Sequence, residues 1–197
     1  MLLLANLTAT AVTTEAMEEG ELVARARRGD AKAIAELYRR HAQAAYALAL
    51  RLCAQPALAE DIVQDSFVRV MERMAQYRGE APFVVWLKRT AAHLSIDALR
   101  ARQRWQTVEF DDSVTEVRTD PALERQLDAL GLLQRLKPQA RAVLVLFELE
   151  GLSHDELADL FQRTPSYSKS LLSRAKRQLA EWLESERGDT DNARSAP

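Results

Sequence analysis

Leu152-Ser153-His154-Asp155-Glu156-Leu157-Ala158-Asp159-Leu160-Phe161-Gln162-Arg163-Thr164-Pro165 carries two helix starts in close succession. Ser153 with Glu156 has the form of a capping box, in which the serine oxygen takes the third amide and the glutamate reaches back. Thr164-Pro165 supplies a second N-cap with proline at the first helical position, where its missing N–H costs nothing. Helices over about 154–161 and 165–185, separated by a short turn, make a helix-turn-helix. Upstream, Pro138 divides helices over about 121–136 and 139–149, and Gly151 stands where a helix C-terminus favours a left-handed residue.

Farther upstream the pattern stays helical. Asp30 is a good N-cap for a helix from Ala31 to Cys53, with Ile34, Leu37, Tyr38, Ala45, Leu48 and Leu52 as its apolar stripe. Pro56 interrupts. Ala57 to Met74 continues as a second helix with Val63, Phe67, Val70 and Met74 inward. Gly79 and Pro82 mark a loop, and a third helix from Phe83 to Arg104 buries Phe83, Leu87, Leu94 and Ala98. The expected fold is all-α: two small helical domains on one chain.

The 197 residues have a formal net charge of −2, and its distribution is uneven. Residues 21–105 carry fifteen Lys/Arg against nine Asp/Glu, a balance of +6; residues 106–128 carry two against seven, or −5. Residues 129–187 carry nine against eight, or +1. A basic block, an acidic connector and a near-neutral block predict two domains with unlike partners. The expected boundaries are a disordered leader at 1–18, a first domain at 19–105, a flexible acidic linker at 106–120, a second domain at 121–187 and a polar tail at 188–197.

Composition narrows the chemistry. Cys53, the single cysteine, excludes an internal disulfide and sits among apolar neighbours, so a buried inert thiol is expected. His41, His93 and His154 lie far apart without ligand spacing, so neither a metal nor another cofactor is expected. Met1 to Leu4 lack the basic flank and long apolar run of a signal peptide, and nothing is long enough to span a bilayer. A cytoplasmic protein without membrane insertion is the expectation.

Three surfaces carry candidate function. On the second helix, Asp61 and Asp65 share a face one turn apart, with Gln64 and Arg69 beside them. A catalytic pair would need a pocket and a perturbing neighbour, so a partner protein of opposite charge is the better reading. On the third helix, Lys88, Arg89, His93, Asp97, Arg100 and Arg104 fall roughly on one side, with Trp86 on the same helix and Arg78 in the preceding loop. A basic face is commonly just a solvated one. Cations joined to an aromatic suit phosphates and an unpaired base. On the last helix, Ser166, Lys169, Ser170, Ser173, Arg174 and Lys176 cluster near the N-terminus, as insertion into a major groove requires.

The order of these segments resembles the extracytoplasmic-function sigma factors of the sigma-70 family. Ala59 to Val70 is similar to the segment that grips the clamp helices of RNA polymerase, and Phe83 to Arg100 to the segment that melts and reads the minus-ten element. Leu152 to Ala158, with the helix after Pro165, resembles the domain that reads the minus-thirty-five element. The resemblance implies a transcription initiation factor and no enzyme. It implies Asp61, Gln64, Asp65 and Arg69 for core RNA polymerase, and Arg78, Phe83, Trp86, Lys88, Arg89, His93, Asp97, Arg100 and Arg104 for minus-ten promoter DNA. The linker is expected to thread a basic polymerase channel. An anti-sigma factor is an implied partner, so inhibition is expected from a separate protein; a small-molecule substrate is not.

The family pattern is broken at His93, where asparagine is usual, and at Gln162-Arg163 in the turn. It is broken again at Ser166, Ser168 and Leu171, which implies either an unusual minus-thirty-five sequence or a second domain that binds weakly alone. A sigma-like decoy that sequesters an anti-sigma protein would not need the basic and aromatic residues at 86–105. A helix-turn-helix repressor would leave the basic first domain and the acidic helix unexplained.

Overall fold

The computed structural model describes residues 19–105 and 130–194, with side chains over 19–101 and 130–185. The leader at 1–18, the linker at 106–120 and the expected helix start at 121 lie outside the described residues.

The first domain is built on α1 (Glu19–Ala26), α2 (Ala31–Cys53), α3 (Pro56–Glu72) and α4 (Phe83–Trp105), with a 3₁₀ turn at Met74–Gln76. Asp30 caps α2, its side chain accepting from the amides of Lys32 and Ala33. Arg25 holds that carboxylate at 2.7 Å and lowers its pKa. Pro56 proves to be the first residue of α3, where its ring fits the first turn. α1 was not expected: its eight residues are too few for a clear period, and Leu22, Val23 and Ala26 become a buried face only against α2.

The inward residues largely follow the periodicity. Leu37, Ala45, Leu48, Leu52, Val63, Phe67, Val70, Met74, Phe83 and Leu87 are all buried. Tyr38 is a correction: it is 43% exposed, with its ring laid on Phe67 at 4.7 Å between centroids. On α4 the inner face runs through Ala91, Ala92, Ser95 and Ile96, leaving Leu94 and Ala98 half-buried. Ser95 can be buried because its hydroxyl donates to the Ala91 carbonyl at 2.7 Å.

The second domain contains a helical segment at 130–135, then α5 (Pro138–Glu148), α6 (His154–Phe161) and α7 (Pro165–Arg194). Gly151 has φ +71°, the left-handed turn expected after α5. α7 runs past the end expected near 185 and continues to Arg194, with no proline to stop it.

The larger departure is how the domains meet. Leu48, Leu52, Ile62 and Ile96 join Val143, Leu146, Leu157, Leu160 and Phe161 in one continuous apolar cluster. α5 packs on α2 and α4, and α6 reaches α4. A second cluster, including Leu22, Leu37, Phe67 and Phe83, belongs to the first domain alone. Fully burying one such aliphatic or aromatic side chain contributes about 1.5–3 kcal/mol. Residues shared across the domain boundary therefore hold the two halves closed. Arg141 adds a polar link: only 4% exposed, it donates from Nε and Nη2 to the Leu52 carbonyl at 3.2 and 3.0 Å. That carbonyl belongs to the last turn of α2 and has no partner within the helix. Burial lowers the Arg141 pKa.

Candidate nucleic-acid interface

The helix-turn-helix forms as its sequence predicts. Ser153 Oγ accepts the Glu156 amide at 3.2 Å, and Glu156 accepts the Ser153 amide at 2.9 Å. The Ser153 amide, and after it the Ser153 hydroxyl at 3.0 Å, donate to the Glu156 carboxylate and lower its pKa. The turn begins at Gln162, which has φ +51° and lies in the left-handed region that a β-carbon disfavours.

Beyond it, Ser166, Lys169, Ser170, Ser173, Arg174 and Lys176 are all exposed on one side of α7. Arg174 donates to the Ser170 carbonyl at 3.3 Å, and Lys176 pairs with Glu148 at 2.7 Å. Ser168 and Leu171 do not share this row. Ser168 is 1% exposed; its hydroxyl donates to the Pro165 carbonyl and faces His154 Nδ1 at 2.9 Å. His154 in turn stacks on Phe147 at 4.5 Å. Leu171 packs against the shared core. The departures at these two positions are therefore packing choices within the hairpin, and only Ser166 alters the outward row.

On α4 the expected residues divide. Phe83 is corrected: it is 0% exposed, ringed by His41, Tyr77 and Trp86, so its side chain presents nothing to a nucleic acid. Trp86 is half-buried and stacks on Tyr77 at 5.1 Å. Glu19, which the sequence did not single out, fixes this corner by accepting the Phe83 amide at 2.8 Å. Tyr77 donates to the Ala81 carbonyl at 2.5 Å, closing the loop that carries exposed Arg78. Burial raises the Tyr77 pKa and, despite the Glu19 carboxylate 3.4 Å from Nε2, lowers that of His41.

His93 is exposed, with Nδ1 2.8 Å from the Arg89 carbonyl. Because a carbonyl only accepts, Nδ1 is the donor in that contact, which leaves Nε2 without a part in it. Lys88 pairs with Glu150 at 2.5 Å, and Arg89 with Glu156 at 2.9 Å. Asp97 is exposed and bonded at 3.3 Å by Arg100, whose Nη2 also donates to the Leu160 carbonyl at 2.5 Å. The Arg104 side chain lies outside the described residues. The basic face is thus partly answered by the second domain, which one-dimensional periodicity could not reveal.

The acidic face of α3 is open. Asp61, Gln64 and Asp65 are exposed, Arg69 is half-buried, and Val68 stands among them 58% exposed. Sequence reading overlooked Val68, although an apolar side chain at that point on an amphipathic helix breaks the polar face.

These features define a two-domain helical protein with an open acidic row on its first domain and a capped helix-turn-helix in its second. The sigma-70 region 2 family matches residues 37–105, and sigma-70 region 4 matches 126–179. The RNA polymerase sigma factor CarQ of Myxococcus xanthus is 32% identical over 165 residues, covering 81% of this chain and 94% of CarQ. The ECF RNA polymerase sigma factor SigE of Mycolicibacterium smegmatis is 29% identical over 163 residues, covering 79% of this chain and 63% of SigE. The solved structure of the sigma factor RpoE with the anti-sigma factor NepR, from Bartonella quintana, shares the fold with TM-score 0.58 and 23% identity, over 76% of this chain and 95% of RpoE. The chain belongs to the sigma-70 family of RNA polymerase sigma factors, in the extracytoplasmic-function group.

Proposed function

We propose that this chain recruits core RNA polymerase to promoters, with a separate face for each contact. Asp61, Gln64, Asp65 and Arg69 bind the polymerase clamp, and Val68 adds an apolar centre to that contact. Trp86, Lys88, Arg89, His93 and Arg100, with Arg78 from the loop, hold an unpaired base and its phosphates at the minus-ten element. Taking a base out of the stack costs a few kcal/mol, repaid by stacking and phosphate contacts. Ser166, Lys169, Ser170, Ser173, Arg174 and Lys176 read the minus-thirty-five element as duplex. No step is covalent, so the reading involves no catalytic residue, and its setting is the cytoplasm.

The observation that carries this reading is the outward row of α7, exposed along the N-terminal half of the second helix of a capped helix-turn-helix. An anti-sigma factor is the inhibitory partner that fits the same reading; the similar RpoE structure is itself a complex with the anti-sigma factor NepR. Run-off transcription with core polymerase, with and without the chain, tests the function. Reversing Asp61 and Asp65 to Lys removes core binding in a pull-down while circular dichroism stays native. Undiminished binding by a native double variant rejects the assigned clamp face.

A further inference from the structure

The helix α4 begins on a residue that cannot cap it. Pro82 stands at the capping position, its carbonyl accepting the Val85 amide at 3.0 Å and the Trp86 amide at 3.4 Å. A proline side chain has no oxygen to offer the unpaired amides of a first turn. The oxygen comes from α1 instead: Glu19 Oε1 accepts the Phe83 amide at 2.8 Å, across 64 residues of sequence. A carboxylate at that point also meets the positive end of the helix dipole.

Packing does little to fix the neighbouring loop against α1. A cavity of about 280 Å³ lies between them, bordered by Glu19, Val23 and Arg27 on one side and by Tyr77, Arg78 and Gly79 on the other. Side chains do not fill that space, so hydrogen bonds set the corner. Glu19 holds the start of α4, and Tyr77 holds the loop by donating to the Ala81 carbonyl. Trp86 stands three residues beyond Phe83, one turn along the same face, and Tyr77 stacks on it with the rings 28° apart. The direction of this aromatic pair therefore follows from the first turn of α4.

We propose that Glu19 is a positioning residue for minus-ten reading: it caps α4 from α1 and so orients Trp86 and Tyr77 toward an unpaired promoter base. The inference rests on the base-holding role given to Trp86 above. Without the cap, the first turn of α4 frays in the free chain. The competent arrangement is then populated less, and the apparent affinity falls by the same fraction.

The test uses the full chain and a single-stranded minus-ten oligonucleotide, taken from a promoter that the chain directs in run-off transcription. Fluorescence anisotropy gives the affinity without polymerase. Glu19→Ala removes the cap, Glu19→Gln keeps an accepting oxygen at the same reach, and Trp86→Ala removes the ring assigned to the base. Glu19→Ala should bind roughly five-fold more weakly, as a lost N-cap predicts, with Glu19→Gln within about two-fold of wild type. Affinity for a minus-thirty-five duplex should not change. Hydrogen exchange of the Phe83 amide, followed by NMR, should quicken in Glu19→Ala and stay slow in Glu19→Gln. Quicker exchange with undiminished single-strand affinity overturns the positioning role. So does a Glu19→Gln variant that binds no better than Glu19→Ala, or an equal drop in duplex affinity, which marks a general folding defect. Weakened binding by Trp86→Ala beside undiminished binding by Glu19→Ala rejects this inference alone. A Trp86→Ala variant as tight as wild type rejects the base-holding role, and the inference with it.

Discussion

Removing the buried guanidinium at position 141 should loosen the whole chain, and two substitutions separate the reasons. Arg141 gives its polar end to the Leu52 carbonyl, and its three methylenes are buried with the rest of the side chain. Hydrogen bonds to a charged donor contribute about 1.5–3 kcal/mol, part of which is offset because the variant no longer buries a charge. Arg141→Met keeps an apolar stem and gives up only the bonds, so a net cost of about 1 kcal/mol is expected. Arg141→Ala also gives up roughly two methylenes of burial at about 0.8 kcal/mol each, for a total near 3 kcal/mol. Urea unfolding followed by circular dichroism measures both, with the midpoint falling and the slope unchanged if the transition stays cooperative. Because apolar residues of both domains form one cluster, calorimetry of the wild type should show a single transition. A Met variant more stable than wild type would mean that desolvation outweighs the Leu52 bonds, and the polar link would be refuted. An Ala variant no worse than Met would refute the packing role of the stem.

Three other perturbations probe separate parts of the molecule. Lys169→Ala and Arg174→Ala should weaken duplex minus-thirty-five binding by about 1–3 kcal/mol for each base that is no longer read, and leave single-strand binding unchanged; an equal drop in both assays would point to misfolding. Gln162→Gly relieves the left-handed turn and should raise the unfolding free energy by about 0.5–1 kcal/mol, read from the urea midpoint. Glu36 accepts from Arg39 at 2.8 Å and from Arg40 at 2.6 Å, which lowers its pKa to about 2 from 4.5. A depressed acid pKa stabilises the fold above 4.5 and loses that contribution as pH falls toward 2, so Glu36→Gln should flatten the acid limb of the stability curve while leaving its slope near neutrality unaltered.

Local chemistry wrote most of the helices in advance. The Asp30 cap, the Ser153–Glu156 capping box and the prolines at 56, 138 and 165 act within a turn of themselves, so the order of residues suffices to place them. The outward row of α7 and the acidic row of α3 were legible for the same reason, since a 3.6-residue period sorts one face from the other. The burial of Phe83 was legible from the same period, but its enclosure was not, because a period turns an aromatic ring inward without saying which neighbours surround it; His41, Tyr77 and Trp86 reach it from two other elements and its own helix. The contact between Ser168 and His154 was hidden because His154 lies fourteen residues earlier and meets it only across the hairpin. The pairing of Lys88 with Glu150 and Arg89 with Glu156 was equally hidden, for those partners are 62 and 67 residues apart. The sequence alone determined most of the helices, though not the short α1, and most of the side chains they turn outward, though not Tyr38. Only the tertiary structure decided that the outward cations of α4 face carboxylates of the second domain, because charge pairing depends on distance in space.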